Sequence, residues 1–366
     1  MPILSRYEFW AEVTPVDGAE PLGTVPLRRP DFEPALQWAY LQRVRRALAP
    51  AVMHCGDGVV EPVWDEELGR PFVESIGIRV GTSGVTPLSR IPIAYLRKSV
   101  EMAASGWVAE GRLAAGEPFR YRLVAHASSD ESSMAEDESG ITAEPIPQPL
   151  DLQEREMAAV VDASEARDAE WSDDTDLLVV IPLTILEEVV VLAEAAGELE
   201  MGGVLVGGLC RDRASGDLFV EVRAQLPARH GCAASDRFTF TAETWADARA
   251  AIALRGEGEC LVGWHHSHPF FCRRCSVESR LRCPLLRPFL SEHDESLHRT
   301  VFGRAFDLAL LVTDRGPDGR EVALFGWRHG LLLRRGYRVS GGAVERTAAV
   351  EGSAERDDAT SFGRGA

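Results

Sequence analysis

Between Ala127 and Asp176 this chain carries 16 acidic residues against Arg155 and Arg167, a net of −14. Charge of that density resists burial, so it predicts two folded units with a connector between them. Residues 127–150 are rich in Ser, Glu and Pro and poor in apolar side chains, the composition of a flexible linker that lets its flanks move independently. Residues 154–170 read as a short acidic helix within that connector. The expected division is an N-terminal α+β domain over 1–126, an acidic linker over 127–175, a second domain over 176–340 and a disordered tail over 341–366.

With 366 residues and 45% apolar side chains, the chain has material for two cores. A formal charge of −18 argues against a nucleic-acid partner, because phosphates need a basic surface. No run approaches the roughly 18 apolar residues of a membrane helix. The opening residues mix Arg6 and Glu8 into a short apolar run, unlike a secretory leader. Seven cysteines, an odd number, fit a reducing cytoplasm better than a disulfide framework. Lys98 is the only lysine, so 38 of the 39 basic residues are arginine. Codon bias in a GC-rich genome accounts for this most simply; avoidance of lysine modification is the sharper alternative.

In the first unit, residues 6–13 and 71–80 read as strands and 119–126 alternates as another. Residues 31–48 read as a helix capped by Asp31, with Leu36, Ala39, Tyr40, Val44 and Leu48 on one face. No chemical constellation appears there, and its fold is left unassigned. His54 and Cys55, before a Gly-Asp-Gly turn, read as a packing and turn feature.

The second unit is strongly patterned. Helices are expected at 184–196 (closed by Gly197), 243–254 (ended by Gly256) and 291–301. Strands are expected at 203–210, 219–225, 238–241 and 260–267, with a hairpin of 305–313 and 321–328 around Gly316, Pro317, Asp318 and Gly319.

The chemistry gathers at the end of the strand over 260–267. In the run Gly263-Trp264-His265-His266-Ser267-His268-Pro269, residues two apart face the same way on an extended backbone, so His266 and His268 can present their rings to one point. Imidazole is a common zinc donor, and a catalytic site wants three protein ligands and an open position. Pro269 cannot continue a ladder and ends the strand where the site begins. In Ser291-Glu292-His293-Asp294, the first turn of a helix puts Ser291 and Asp294 on one face, Ser291 as cap and Asp294 as third ligand. Upstream, Glu200 enters a Gly-flanked strand, where a glutamate can act on water without ligating the metal. His265 points away from His266 and reads as packing. His298, four residues past Asp294, reads as a surface histidine or, less simply, as a partner of a ligand.

Glu-x-x-Gly, His-x-His-Pro and Ser-x-x-Asp, in that order, resemble the JAMM (JAB/MPN) metallopeptidase motif. Here they are Glu200 with Gly203, His266 with His268 and Pro269, and Ser291 with Asp294. The resemblance covers residues 176–340. It implies a cytidine-deaminase-like mixed sheet with flanking helices, and Zn2+ on His266, His268 and Asp294. It also implies Glu200 as the proton carrier, Ser291 as the oxyanion donor, and a ubiquitin-like protein or its conjugates as partner. A catalytically silent scaffold of the same fold is the alternative. A deaminase is disfavoured because Ser267 stands where its His-x-Glu needs glutamate and Pro269 precedes Cys272 by three residues.

One departure stands out. The family separates the second histidine from the serine by Pro plus seven residues, whereas 22 residues lie between His268 and Ser291 here, about 14 more. The insert, 270–290, holds Cys272, Cys275 and Cys283. Cys-x2-Cys is ordinary structural-zinc spacing, so a second metal is expected, with His293, His298, Cys232 or Cys260 as fourth ligand. A redox pair and free packed thiols are the alternatives.

Overall fold

A computed structural model describes residues 7–18, 20–46, 58–65, 72–80, 88–127, 151–233, 238–269, 276, 278–279, 287–314 and 320–341. The architecture is α+β, with a large mixed sheet and few helices.

The first half contains β1 (Tyr7–Pro15), β2 (Gly23–Leu27), α1 (Arg29–Arg46), β3 (Gly58–Asp65), β4 (Phe72–Val80), β5 (Ser89–Pro92), α2 (Arg97–Ala109) and β6 (Phe119–Ala127). The strands form two antiparallel three-stranded sheets, β2-β1-β6 and β3-β4-β5. Alternation decides β1: Phe9, Ala11 and Val13 are buried while the residues between them are not. Asp31 lies inside the first turn of α1, and its carboxylate accepts the Arg28 N–H at 2.7 Å, reaching back across the helix start.

The second half continues with β7 (Leu152–Arg155), α3 (Met157–Asp162), β8 (Ser164–Arg167), β9 (Leu178–Pro182), α4 (Leu183–Ala196), β10 (Gly202–Asp212), β11 (Leu218–Pro227), β12 (Cys232–Ala233) and β13 (Phe238–Thr239). Then come α5 (Ala242–Arg255), β14 (Cys260–Ser267), α6 (Glu292–Val301), β15 (Leu308–Asp314), β16 (Arg320–Arg328), β17 (Leu331–Arg335) and β18 (Tyr337–Ser340). Its main sheet runs β17-β16-β15-β14-β10-β11-β9-β18-β8, with β7 parallel to the far end of β10 on the edge that β14 leaves free. The helices and strands expected from 184 onward are present among the described residues, and α5 ends at Gly256, whose φ of +67° suits a residue without a Cβ.

The central strands β10 and β14 are buried on both faces. Leu205, Val262, Leu310 and Val312 join a core with α4 and the first half, while Val204, Val206, Trp264, Ala309 and Leu311 join a second core under α5 and α6. Val262 and Trp264 face opposite ways although they are two apart. The reason is a bulge: Leu205 pairs with Gly263 and Val206 with Leu261, leaving Val262 as the extra residue.

Two expectations are corrected. Residues 154–170 are not one helix but β7, α3, β8 and a 3-10 turn over Ala169–Trp171. Residues 151–175 are likewise no free linker, since β7 and β8 are strands of the main sheet. Their acidity is matched by arginines far along the chain. Asp168 pairs with Arg334 at 2.8 Å and Asp176 accepts from Arg328 Nε at 2.8 Å, while Arg338 Nε donates to the neutral Ser164 hydroxyl at 2.7 Å.

The halves also pack together. One apolar core includes Phe32, Ala35 and Leu36 of α1 beside Leu177, Leu310 and Leu324. Trp38 packs on His329 with ring centroids 4.3 Å apart, and Arg45 holds Asp217 and the Asp176 carbonyl. No helix among the described residues is long and apolar enough to cross a membrane. The tail from 342 onward and the 316–319 turn lie outside the described residues, as do His54 and Cys55.

Candidate metal centre

His266 lies near the end of β14, fully buried, and Gly202 at the start of β10 is its antiparallel partner. Pairing continues past the formal strand ends. The Ser267 N–H donates to the Met201 carbonyl at 3.0 Å, the Met201 N–H donates to Ser267 Oγ at 3.3 Å, and the His268 N–H donates to the Val312 carbonyl at 3.0 Å. Extending this register sets Glu200 across from His268, and directly opposed residues share a face. Glu200 is 7% exposed, low for a carboxylate at a strand entry.

Asp294 comes from α6. Ser291 is its N-cap: Ser291 Oγ accepts the Asp294 N–H, and the Asp294 carboxylate accepts the Ser291 N–H, forming a reciprocal capping box.

These elements bring three ligand atoms together. His266 Nε2 lies 3.3 Å from Asp294 Oδ1, and His268 Nε2 lies 3.7 Å from Asp294 Oδ2. The two imidazole centroids are 5.2 Å apart, and all three ligand atoms fall within 4.8 Å of one another. Among the described residues this is the one cluster of its kind. Burial lowers the pKa of His266 against the opposing pull of Asp294, keeping a lone pair available. For Asp294 burial pushes upward, but the His266 and His268 rings and the Ser291 hydrogen bond outweigh it and hold the carboxyl well below its usual range. The donor set therefore fits a divalent cation. Both nitrogens of His266 are buried without a hydrogen-bond partner, which is costly unless an ion meets one of them.

The surroundings are aromatic. Trp264 lies on His266 with centroids 4.6 Å apart and planes 17° apart, and Trp264 Nε1–H donates to His298 Nδ1 at 3.0 Å. His298 is fully buried, correcting the surface reading, and burial pulls its pKa down to about 3. Its bond goes to Trp264 rather than directly to a ligand. The spacing Asp294, His298, Phe302, each four apart, marks one helical face, and Phe302 is also buried. His265 faces the other way, as expected, with Nε2 3.2 Å from Gln225 Oε1 and its pKa pulled down to about 3 by burial. Gly203 makes room for that ring: an added Cβ would stand 2.3 Å from His265 Nε2.

The rim is more open. The Phe289 ring lies 4.8 Å from that of His268 and is 37% exposed. Lys98 of α2 reaches within 3.9 Å of Glu292, so the first half borders the start of the ligand helix. Cys272, Cys275 and Cys283 lie outside the described residues. Of the fourth ligands considered for them, His298 is already bonded to Trp264, and Cys260 is a free, half-buried thiol.

No family model matches the chain, and no curated protein matches it. Among solved structures, the solution structure of protein DSY2949 from Desulfitobacterium hafniense is similar at 18% identity, over 44% of this chain and 93% of that chain, with a TM-score of 0.28.

Proposed function

We propose that the chain is a zinc-dependent peptidase or isopeptidase of the JAMM type, with a JAB/MPN-like fold over 176–340, that cuts the bond following a ubiquitin-like modifier. The supporting observation is the meeting of His266, His268 and Asp294, largely buried, with the low exposure of Glu200 just before the paired strand as its companion. His266, His268 and Asp294 hold the ion. When bound, Zn2+ lowers the pKa of a coordinated water to about 7 and polarises a carbonyl. Glu200 takes a proton from the attacking water and returns it to the leaving amine. Ser291 donates its O–H to the developing oxyanion, a contribution of about 3 to 4 kcal/mol where such donors have been removed in other enzymes. Burial and the aromatic wall of Trp264 and Phe302 exclude bulk water from the inner side of the ligands.

The test is hydrolysis of linear and isopeptide-linked fusions of ubiquitin-like proteins by the zinc-loaded chain, beside Glu200→Gln. The wild type should cleave, and Glu200→Gln should keep its zinc while losing turnover. A wild type that holds zinc and cleaves none of them would instead identify a silent scaffold of the same fold.

A further inference from the structure

Metal-bound histidines usually anchor their second ring nitrogen to a carboxylate, carbonyl or water, which fixes the ring plane. Among the described residues His266 has no such anchor, because its Nδ1 is buried without a partner there. Its ring plane is instead set by the near-parallel indole of Trp264. That indole is itself fixed at both ends. Its N–H donates to His298 Nδ1 at 3.0 Å, and Phe302 stacks beneath it with planes 20° apart. His298 is wedged between Phe302 and Trp327, with centroids 6.0 and 5.0 Å away.

The bond joins two elements that each supply ligands. Trp264 is on β14 with His266, and His298 is on α6, one turn past Asp294. The strand and the helix are therefore tied twice, once through the ligands and once through Trp264–His298. Accepting at Nδ1 leaves the His298 proton on Nε2, a buried donor with no partner. A phenylalanine at 298 would remove that unpaired group, so the histidine is not explained by packing alone.

We infer that Trp264 and His298 are positioning residues for the metal centre: their hydrogen bond fixes the indole, and the indole orients the His266 imidazole toward Asp294 in place of the missing Nδ1 anchor. The inference rests on the metal reading of the site and is independent of the substrate.

The experiment uses the full chain, with Zn2+ affinity measured by chelator competition and ligand geometry read from the visible spectrum of the Co2+ form. Trp264→Phe keeps a ring on His266 but removes the N–H, and His298→Phe removes the acceptor. Each should weaken Zn2+ binding by about 10- to 100-fold and shift the Co2+ bands. The double variant should be no weaker than the weaker single, because both remove one bond. His298→Gln, which restores an acceptor, should recover most of the affinity. Zn2+ affinities within about twofold of wild type in both single variants, with unchanged Co2+ spectra, would overturn the inference, as would losses that simply add in the double. Circular dichroism screens each variant for folding, and if His298→Phe fails to fold, Trp264→Phe decides alone. A wild type that binds neither ion overturns the metal reading as well, a different result from a metal-loaded chain without peptidase activity.

Discussion

Ser291 and Asp294 hold each other in place: the Ser291 N–H donates to Asp294 Oδ2 at 2.8 Å, and the Asp294 N–H donates to Ser291 Oγ at 3.2 Å. Helix capping and the candidate metal cluster thus share one carboxylate. Its Oδ2 faces His268 while serving the cap, and its Oδ1 faces His266. The direction of the third ligand is set by where α6 begins.

Ser291→Ala should therefore damage stability and metal binding together. Loss of an N-cap side chain typically costs about 1 kcal/mol, and although Ser291→Ala keeps the backbone N–H that Asp294 Oδ2 accepts, loosening the first turn that carries this carboxylate should weaken Zn2+ binding in addition. Chemical denaturation with and without Zn2+ checks this. Ser291→Thr, which keeps the hydroxyl, should be near wild type in both. An alanine variant of unchanged Zn2+ affinity would show that the cap does not hold the ligand.

Gly203→Ala should be strongly destabilising for a one-carbon change. The added Cβ would lie 2.3 Å from His265 Nε2 and 2.5 Å from the Leu226 carbonyl, and the second of these is backbone that cannot swing aside. Overpacking of this kind costs about 1 to 3 kcal/mol, and relief would have to come from a shift of β10 against β11. A denaturation midpoint equal to that of wild type would mean that the strands yield more readily than their burial suggests.

The pH dependence of the metal-free protein should carry the signature of buried neutral imidazoles. His265 and His298 both have pKa values pulled down to about 3 by burial. Unfolded histidine titrates near pH 6.5, so below that value the unfolded chain takes up protons that the folded chain refuses. The contribution is fully present above about pH 6.5 and is lost as pH falls toward the folded values, at about 1.4 kcal/mol per pH unit for each ring. His266, lowered in the same direction, adds to the loss. Equilibrium unfolding from pH 7 to 4 measures the slope, and His298→Phe should reduce proton uptake by about one. A flat profile over that window would contradict the burial of these rings.

Much of the second half was legible because its elements are bounded by punctuation with a mechanism. Gly256 ends α5, the Ser291 cap starts α6, and the spacing of His266 and His268 needs only an extended backbone to converge. What sequence could not supply was partnership at a distance. The acidity of 151–176 looked like solvated linker because Arg328 and Arg334, which answer Asp176 and Asp168, lie some 150 residues away. Strict alternation would also pair Val262 with Trp264 on one face, and only the bulge opposite Leu205 and Val206 separates them. His298 looked exposed because a single histidine carries no sign of the indole that will reach it. The first half yielded three of its six described strands and one of its two α-helices but no chemistry, and the structure makes it a neighbour of the helix carrying Asp294 through Lys98.

The placement of β7 bears on the exposed edge of the main sheet. β14 covers β10 only as far as Gly207, and the next stretch of that edge, Leu209–Asp212, is closed by Leu152–Arg155 running parallel. Without those four residues β10 would offer open amides and carbonyls along Leu209–Asp212, a template on which a second molecule could add. Part of the segment that first looked like a passive spacer thus serves as a built-in guard against sheet-to-sheet association, and a chain begun downstream of Arg155 would lack it.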